Sequence, residues 1–335
     1  MTTMTAVRMH EYGDADVLRL DTIPRPATIG PHDLRIDVRA AAINPVDFKI
    51  RKGAQRALIR LRLPWTLGMD VSGVVTEIGS KVTHFSVGDE VVSSPSHRRM
   101  GCYAEEVILR ADECARKPTN LDHVHAAALP LVGLTAHDAL VGSAQLKAGE
   151  KVLIQAGAGG VGSIAIQLAK QLGAEVYTTC SPRNAALVTE LGADHVIDYR
   201  AENYEEVARD CDVVLESMGG EHLERAVNTV TRGGRVVSIT AGLVDWTRRY
   251  GTFLGVVRFG FSFARLAVRA RWKKDVRLSF VTRRISGENL AYLGSLVERG
   301  AIRPRVDRTY PLAQAAEAHR YLETGHARGK VVLTL

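Results

Sequence analysis

One run of six residues constrains the fold of this chain more than any other feature of its sequence. The run is Gly157-Ala158-Gly159-Gly160-Val161-Gly162, directly after the apolar segment KVLIQA and directly before SIAIQLAKQLG. Ile164, Leu168 and Leu172 recur at helical spacing in the second segment, so the run joins a buried strand to an amphipathic helix. Without side chains at the glycines, backbone N–H groups at the helix start can approach phosphate oxygens closely. The sequence therefore predicts a strand-turn-helix unit that binds a dinucleotide pyrophosphate.

The remaining sequence follows two different patterns. Residues up to about 120 read as short strands broken by turns, as in the alternating Leu34, Ile36 and Val38. After Ser286, two helical patterns precede a final strand, KVVLTL. Between these parts, continuous apolar strands alternate with helical stretches, which is typical of a parallel sheet covered on both faces. These strands are predicted at 151–155, 176–180, 195–199, 212–217 and 235–240. A length of 335 residues agrees with two domains.

Charge is concentrated in one segment. The chain has 44 Lys and Arg against 37 Asp and Glu, a net charge of +7. Residues 243–274 contain eight basic residues and one acidic residue, so this segment alone carries +7 and the rest sums to zero. We therefore expect no general cationic surface of the kind that binds nucleic acid.

Composition and cysteine spacing exclude several other classes of protein. Hydrophobic residues make up 46% and charged residues 24% of the chain, which excludes disordered and fibrous classes. The four cysteines form no C-x-x-C pair, so we expect reduced packing residues rather than a disulfide framework or a zinc lobe. The N-terminal stretch MTTMTAVRMHEYG resembles no targeting signal, and the cytoplasm is the expected location.

The segment after the second strand of the predicted parallel sheet bears on cofactor choice. Sites for NAD place an acidic residue about 20 positions after the glycines, but there is no Asp or Glu between Val176 and Thr189. The turn here contains Ser181 and Arg183, and a hydroxyl and a guanidinium fit a 2′-phosphate that an acid would repel. The sequence predicts NADPH as the cofactor. An N-cap role for Ser181 and a solvated charge for Arg183 are the alternatives.

Several further motifs occur together and in order along nearly the whole chain: AAINPVDFK (41–49), LGMDVSGVV (67–75), VGDEV (87–91), YAEEV (103–107), AAALPLVGLTA (126–136) and HARGKVVLTL at the end. With the glycine run, they make the chain resemble the medium-chain dehydrogenase/reductase superfamily, specifically its zinc-free quinone oxidoreductase (zeta-crystallin-like) branch. The resemblance implies an α/β fold with two domains. A GroES-like β-rich catalytic domain would comprise 1–124 and 286–335, and a Rossmann domain with a doubly wound parallel sheet would comprise 125–285.

The resemblance also implies roles for individual residues. In this family the NPVDFK loop lines the pocket that faces the nicotinamide. The resemblance gives three catalytic candidates in this order: Asn44, which is expected to touch cofactor and substrate; Lys49, which could donate to the substrate oxygen; and Asp47. A solvated loop lysine and a turn-stabilising aspartate are the alternatives for the last two. Further cofactor contacts are expected at Thr135, Tyr199, Gly219, Ala241, Gly242 and Lys330. Lys330 would contact the cofactor phosphates, and the alternative is that it is an ordinary lysine at the edge of a strand.

Comparison with the zinc alcohol dehydrogenases of the same superfamily predicts that no metal binds. A catalytic zinc needs three protein ligands. Asn44 stands where those enzymes have their first cysteine, and Gly68-Met69-Asp70 stands in place of their Gly-His-Glu. Only Cys102 falls in the region of their four-cysteine lobe, near 95–112.

Three functions are compatible with the sequence. The first is metal-free and flavin-free hydride transfer from NADPH to a quinone or an α,β-unsaturated carbonyl, by a homodimer. The alternatives are a 2-enoyl thioester (enoyl-CoA) reductase and a non-catalytic NADPH- or RNA-binding protein. RNA is disfavoured, since extended contact needs a basic groove with stacking aromatics.

Residues 251–274 combine aromatic and basic side chains and are too charged to span a bilayer. Two interpretations follow from the sequence. The segment is either a packed helix whose arginines face water, or an interfacial element that contacts anionic lipid.

Overall fold

The computed structural model describes residues 2–54, 56, 59–240 and 243–335, apart from the side chains of residues 243–245, 248 and 252. These residues form two compact units, one of residues 1–134 and 285–335 and the other of residues 135–284. We call them the catalytic unit and the nucleotide unit.

The N-terminal part of the catalytic unit is rich in strands, as its turn-broken sequence predicts. The strands are β1 (Thr3–Met9), β2 (Leu18–Pro24), β3 (Asp33–Ile43), β4 (Trp65–Thr66), β5 (Val71–Ile78), β6 (Glu90–Ser93), β7 (Glu106–Arg110) and β8 (Cys114–Arg116). The helices are α1 (Pro45–Arg51), α2 (His123–Ala127) and α3 (Pro130–His137), which runs on into the nucleotide unit.

The nucleotide unit alternates strands and helices. Its strands are β9 (Lys151–Ile154), β10 (Glu175–Cys180), β11 (His195–Asp198), β12 (Cys211–Glu216), β13 (Val230–Ser238) and β14 (Arg277–Phe280). Its helices are α4 (Gly160–Gln171), α5 (Ala185–Glu190), α6 (Tyr204–Val207), α7 (Glu221–Thr229), α8 (Leu243–Tyr250) and α9 (Thr252–Lys274). The chain then returns to the catalytic unit with α10 (Gly287–Glu298), β15 (Val306–Pro311), α11 (Ala315–Glu323) and β16 (Lys330–Thr334).

The parallel sheet of the nucleotide unit has the order β11-β10-β9-β12-β13-β14. Every neighbouring pair is parallel, and Val152 in the central β9 faces Val176 on one side and Val213 on the other. The order reverses on either side of β9, which is the doubly wound arrangement that brings strand ends together at a ligand crevice. This confirms the α/β fold class and the predicted strands.

The catalytic unit is built on two sheets. β2-β1-β4 forms a small antiparallel sheet, and the larger one follows the path β15-β16-β3-β5-β6-β8, with β7 paired to β3. β3 alternates as predicted, and its Leu34, Ile36 and Val38 are buried in the core of this unit. Pairing of β16 with β3 places Val331, near the start of β16, opposite Ile43, two residues before α1 begins.

The boundary between the units lies ten residues later than the sequence suggests, after residue 134 rather than 124. The reason is the short helix α2. Its Ala127 and the following Ala128 pack with Ala40, Ala42 and Val332 on the larger sheet of the catalytic unit, so the α2 region belongs to the β-rich part. The four cysteines are free and buried, as predicted.

Candidate active site

The glycine run forms the turn between β9 and α4, as the sequence predicts. A Cβ added at Gly157 would lie 2.1 Å from Thr178 Oγ1, and one at Gly162 would lie 2.4 Å from the carbonyl oxygen of Ala156. Both positions therefore require glycine because the turn packs tightly on β10 and on itself. Ala158 is buried at this turn, whereas Gly159, Gly160 and Val161 are half-buried.

The start of α4 has the properties of an anion site. Gly159 is its N-cap residue, no side chain caps the helix there, and its first turn contains no acidic residue. The unpaired N–H groups and the helix dipole favour a negatively charged group. Together with the tight glycine turn, this arrangement fits a dinucleotide pyrophosphate.

Ser181 and Arg183 follow the carboxyl end of β10, but their side chains differ in exposure and in hydrogen bonding. Ser181 is 7% exposed, and its Oγ accepts a hydrogen bond from Asn184 Nδ2 at 3.2 Å. Arg183 is exposed, and its guanidinium makes no hydrogen bond or ion pair with any residue that the structure describes. Arg183 is thus the better placed of the two for a 2′-phosphate, while Ser181 stabilises the turn.

Other predicted cofactor residues lie at ends of neighbouring elements. Tyr199 follows β11 and is 53% exposed, with the Arg200 guanidinium 5.7 Å from its ring centre. Thr135 lies in α3 and is 8% exposed. Ala241 and Gly242 lie outside the described residues.

A buried glutamate that the sequence analysis missed holds the turn after β12. Glu216 is fully buried; its carboxylate accepts hydrogen bonds from the N–H of Met218 at 2.6 Å and from the N–H of Gly219. It also accepts from Ser238 Oγ on β13 at 2.6 Å. Gly219, at φ 73°, therefore shapes this turn with its N–H already bonded. An acid ending the apolar run DVVLE was the signal for this role.

In the catalytic unit, Asn44 and Asp47 form a capping box at the start of α1. Asn44 is fully buried, and its Nδ2 donates to Asp70 Oδ2 at 2.8 Å. Its backbone N–H donates to Asp47 Oδ2 at 2.8 Å. Both side chains are closed off from solvent, and the expected contact of Asn44 with cofactor and substrate stays a prediction. We assign Asn44 the role of fixing the start of α1.

Lys330 also makes hydrogen bonds within the catalytic unit. Its ammonium is buried and donates to the carbonyl oxygen of Ile43 at 3.0 Å, to Asn44 Oδ1, and to Asp70 Oδ2 at 3.1 Å. These three bonds use all the protons of an ammonium group. In this structure the side chain is directed inward to Asp70, and a contact of Lys330 with the cofactor phosphates stays a prediction.

The pKa of Asp47 is raised to about 7, mainly because the carboxyl is buried; nearby Asp70 raises it further, and the charge of Lys330 opposes the shift. Tyr103 donates its hydroxyl proton to Asp47 Oδ2 at 3.1 Å. Asp47 Oδ1 has no hydrogen-bond partner among the described residues. A carboxyl in these surroundings can hold a proton near neutral pH.

A series of hydrogen-bonded polar side chains leads from Tyr103 through His319 and Arg51 to Glu323 in the catalytic unit. His319 Nε2 lies 3.3 Å from the Tyr103 hydroxyl, and His319 Nδ1 lies 3.1 Å from Arg51 Nη1. Since arginine only donates, Nδ1 accepts and His319 is neutral with its proton on Nε2. Burial, with the charge of Arg51, lowers the pKa of His319 to about 3. Arg51 in turn pairs with Glu323 at 2.5 Å.

Lys49 is the most accessible of the three predicted catalytic residues. It lies in α1 and is half-buried, and its ammonium makes no hydrogen bond or ion pair within the described ranges. The structure therefore shows that Lys49 is more accessible than Asn44 and Asp47, and the order of the three as catalytic residues stays a prediction.

Asn44 and Asp70, two of the residues that replace motif residues of the zinc enzymes, contact the ammonium of Lys330. Asp70 Oδ1 accepts from the N–H of Leu131 at 2.7 Å, and its Oδ2 faces Lys330 and Asn44. In the part of the chain that the structure describes, no group of three His, Cys, Asp or Glu residues could hold a metal ion.

Among the described helices, none combines the length and the apolar character that a membrane span requires.

Comparisons with known proteins agree with the geometry. Residues 30–119 match the family model of the alcohol dehydrogenase GroES-like domain, and residues 191–333 match that of a zinc-binding dehydrogenase. The chain is 34% identical over its full length to mouse mitochondrial NAD(P)H oxidoreductase RTN4IP1, covering 90% of that protein. It is 36% identical over 96% of its length to the chloroplastic NADPH-dependent alkenal/one oxidoreductase of Arabidopsis thaliana, covering 77% of it.

Among solved structures, the quinone oxidoreductase of Coxiella burnetii superposes with a TM-score of 0.86 at 35% identity, with all of both chains covered. Its similarity covers both units and accounts for the GroES-like and parallel-sheet architectures together. The chain therefore belongs to the medium-chain dehydrogenase/reductase superfamily, in its quinone oxidoreductase branch.

Proposed function

We propose that the protein is an oxidoreductase that transfers a hydride from NADPH to a quinone or an α,β-unsaturated carbonyl without a metal or a flavin. The observation that carries this proposal is the turn between β9 and α4. Its glycines leave no room for a Cβ at positions 157 and 162, and it opens onto an uncapped helix start without acidic residues. The names of the Arabidopsis and Coxiella relatives support the two substrate classes.

When bound, NADPH supplies the hydride. The α4 start would hold its pyrophosphate, and the exposed guanidinium of Arg183 would pair with its 2′-phosphate. This pairing favours NADPH over NADH, because NADH has no phosphate at that position.

Reduction of an enone needs a hydride at the β-carbon and a proton at the α-carbon. Negative charge develops on the carbonyl oxygen during hydride transfer. The ammonium of Lys49, a half-buried residue of α1, is the group that we propose to stabilise this charge, while Asn44 and Asp47 hold α1 in place. A quinone takes the hydride and a proton in the same way and becomes a hydroquinone.

The test is consumption of NADPH by the purified protein with a quinone, an enone and an enoyl-CoA in parallel. We expect turnover with the quinone or the enone, and a decrease in kcat/KM of at least tenfold in Lys49→Met, while Lys81→Met retains full activity. Preferred turnover of the enoyl-CoA would instead support the thioester reductase. Tight NADPH binding without turnover of any substrate would support the non-catalytic alternative.

A cytoplasmic location and a homodimer remain predictions. The mitochondrial and chloroplastic names belong to the relatives.

A further inference from the structure

The long helix α9 has two apolar faces. One face packs against the rest of the nucleotide unit through Gly255, Phe259, Phe263, Leu266 and Ala270, which recur every three or four residues. A Cβ at Gly255 would lie 2.6 Å from the Cα of Thr247 in α8. Ala270 belongs to the core cluster of this unit, and Phe263 and Leu266 pack against it. This face is what anchors the helix.

The second apolar face points away from the unit. We call it the outer stripe, and it is defined by five apolar residues with exposures of 83%, 51%, 73%, 60% and 89%, namely Phe253, Val257, Phe261, Val268 and Trp272. Their spacings of four, four, seven and four residues place them on one side of a helix. The stripe is about 29 Å long at 1.5 Å per residue.

Such a stripe differs from the scattered exposed apolar residues of an ordinary surface. Single exposed side chains are normal, whereas a contiguous apolar patch marks a contact with another molecule or a membrane. The packed-helix interpretation of the sequence explains the inner face but leaves these five side chains in water. Exposing this apolar surface to water is unfavourable, so we expect another molecule or a membrane to cover the outer stripe.

Cations border the outer stripe. At 100° per residue, Arg258, Arg265 and Arg269 fall along one edge and Arg271 along the other. Arg269 and Arg271 pair with Glu224 at 2.9 Å and Asp275 at 2.7 Å, and Arg258 stacks over Tyr250 at 4.3 Å. Arg265, in contrast, has no acidic partner among the described residues.

We propose that α9 lies on the surface of an anionic membrane, with the outer stripe inserted among the lipid headgroups. Aromatic residues flanked by arginines are the composition of an interfacial helix. The segment 243–274 carries a net charge of +7, which complements an anionic leaflet. A second copy of the chain is a poorer occupant, because symmetric packing of this face would bring two such segments together. This proposal does not depend on the proposed catalytic activity.

The experiment is co-sedimentation of the full-length protein with vesicles of phosphatidylcholine alone or with added phosphatidylserine. We expect phosphatidylserine to raise the partition coefficient at least tenfold, and salt to reduce this gain. The double variant Phe261→Ser/Trp272→Ser should lower binding at least tenfold. Arg258→Glu/Arg265→Glu should abolish the dependence on phosphatidylserine. Brominated lipid should quench Trp272 fluorescence in the parent protein.

Matched controls separate the proposal from general charge or hydrophobicity. Val87→Ser removes an exposed apolar residue elsewhere, at 62% exposure, and Lys81→Glu/Arg299→Glu makes the same charge change on the catalytic unit. Neither should alter vesicle binding. Absence of phosphatidylserine-dependent binding in the parent protein would overturn the proposal. So would a stripe variant that converts a dimer to a monomer without changing vesicle binding, since the stripe would then be an interface between copies.

Discussion

The ammonium of Lys330 lies 3.1 Å from Asp70 Oδ2, and both groups are buried. The pair joins residues 260 positions apart, because β16 pairs with β3 and β3 pairs with β5. Asp70 stands where the zinc alcohol dehydrogenases of the superfamily have a residue of their Gly-His-Glu motif. In this chain a lysine supplies the positive charge there.

Loss of the Lys330 charge should destabilise the fold. Lys330→Met leaves the Asp70 carboxylate buried and unpaired, and we expect a decrease of about 3–5 kcal/mol in the free energy of unfolding. Adding Asp70→Asn should recover part of this loss, because it removes the uncompensated charge. Urea unfolding measures both effects. The exposed Lys81→Met should stay within about 0.5 kcal/mol of the parent protein, and equal losses in the two lysine variants would contradict a structural role for the pair.

Zinc should be absent from the purified protein. Asn44, Met69 and Asp70 replace the thiolate and imidazole ligands that zinc prefers, and Lys330 neutralises the one carboxylate among them. We expect elemental analysis to find far less than one zinc per chain and chelators to leave activity unchanged. One tightly held zinc per chain, lost together with activity, would overturn this account.

Arg183 should determine the preference for NADPH. In the parent protein NADPH should bind at least tenfold more tightly than NADH, and Arg183→Ala should remove most of this preference, about 1.5–3 kcal/mol. NADH affinity should barely change, because NADH has no 2′-phosphate. Titration by fluorescence checks this, with the exposed Arg209→Ala as the matched control. Equal affinities for the two cofactors in the parent protein would refute the prediction.

Asp47 should give stability a distinctive pH dependence. Its pKa rises from 3.8 to about 7 on folding, so the native state holds a proton that the unfolded chain releases in this range. The contribution of this group to the free energy of unfolding is therefore full below pH 3.8 and is lost as pH rises through 7. His319, whose pKa falls from 6.5 to about 3, acts in the opposite direction, losing its contribution as pH falls below 6.5.

Comparison of variants isolates the effect of Asp47. Relative to the parent protein, Asp47→Asn should gain in free energy of unfolding as pH rises from 5 to 8, since an amide cannot ionise. Urea unfolding at each pH gives this difference. The exposed Asp210→Asn should show no such trend. A constant difference between Asp47→Asn and the parent protein across this range would show that the carboxyl is ionised throughout.

A homodimer should form through the free edge of the parallel sheet at β14. An unpaired parallel edge is available for pairing with a second copy, and Phe280 on this strand is 37% exposed. Sedimentation velocity should show a dimer at micromolar concentration. A monomer at all concentrations would refute this.

Local patterns in the sequence predicted the nucleotide unit well. Continuous apolar runs located β9 to β12 within one residue at either end, and the glycine run located the turn before α4. These features are encoded by neighbouring residues, and their periodicity is visible without the fold. β13 begins five residues earlier than predicted, because Val230 pairs with Cys211 before a shift in register.

The buried polar groups of the catalytic unit were not predictable in this way. Tyr103 and His319 are 216 positions apart, and Lys330 meets Asn44 across 286 positions. Their contacts depend on the pairing of β16 with β3, which no local pattern specifies. The outer stripe of α9 could have been found by helical spacing, but which apolar face the protein covers depends on the tertiary packing.

Transfer of deuterium from NADPH labelled at C4 of the nicotinamide tests the central claim most directly. The reaction would use an enone or a quinone as acceptor and protein whose metal content has been measured. With the enone, the account predicts one deuterium per product molecule, at the β-carbon, from one face of the cofactor and with zinc far below one per chain. With either acceptor, labelled NADPH should be consumed more slowly than unlabelled NADPH. Product without deuterium from the enone, or transfer that appears only after zinc is added, would contradict the account.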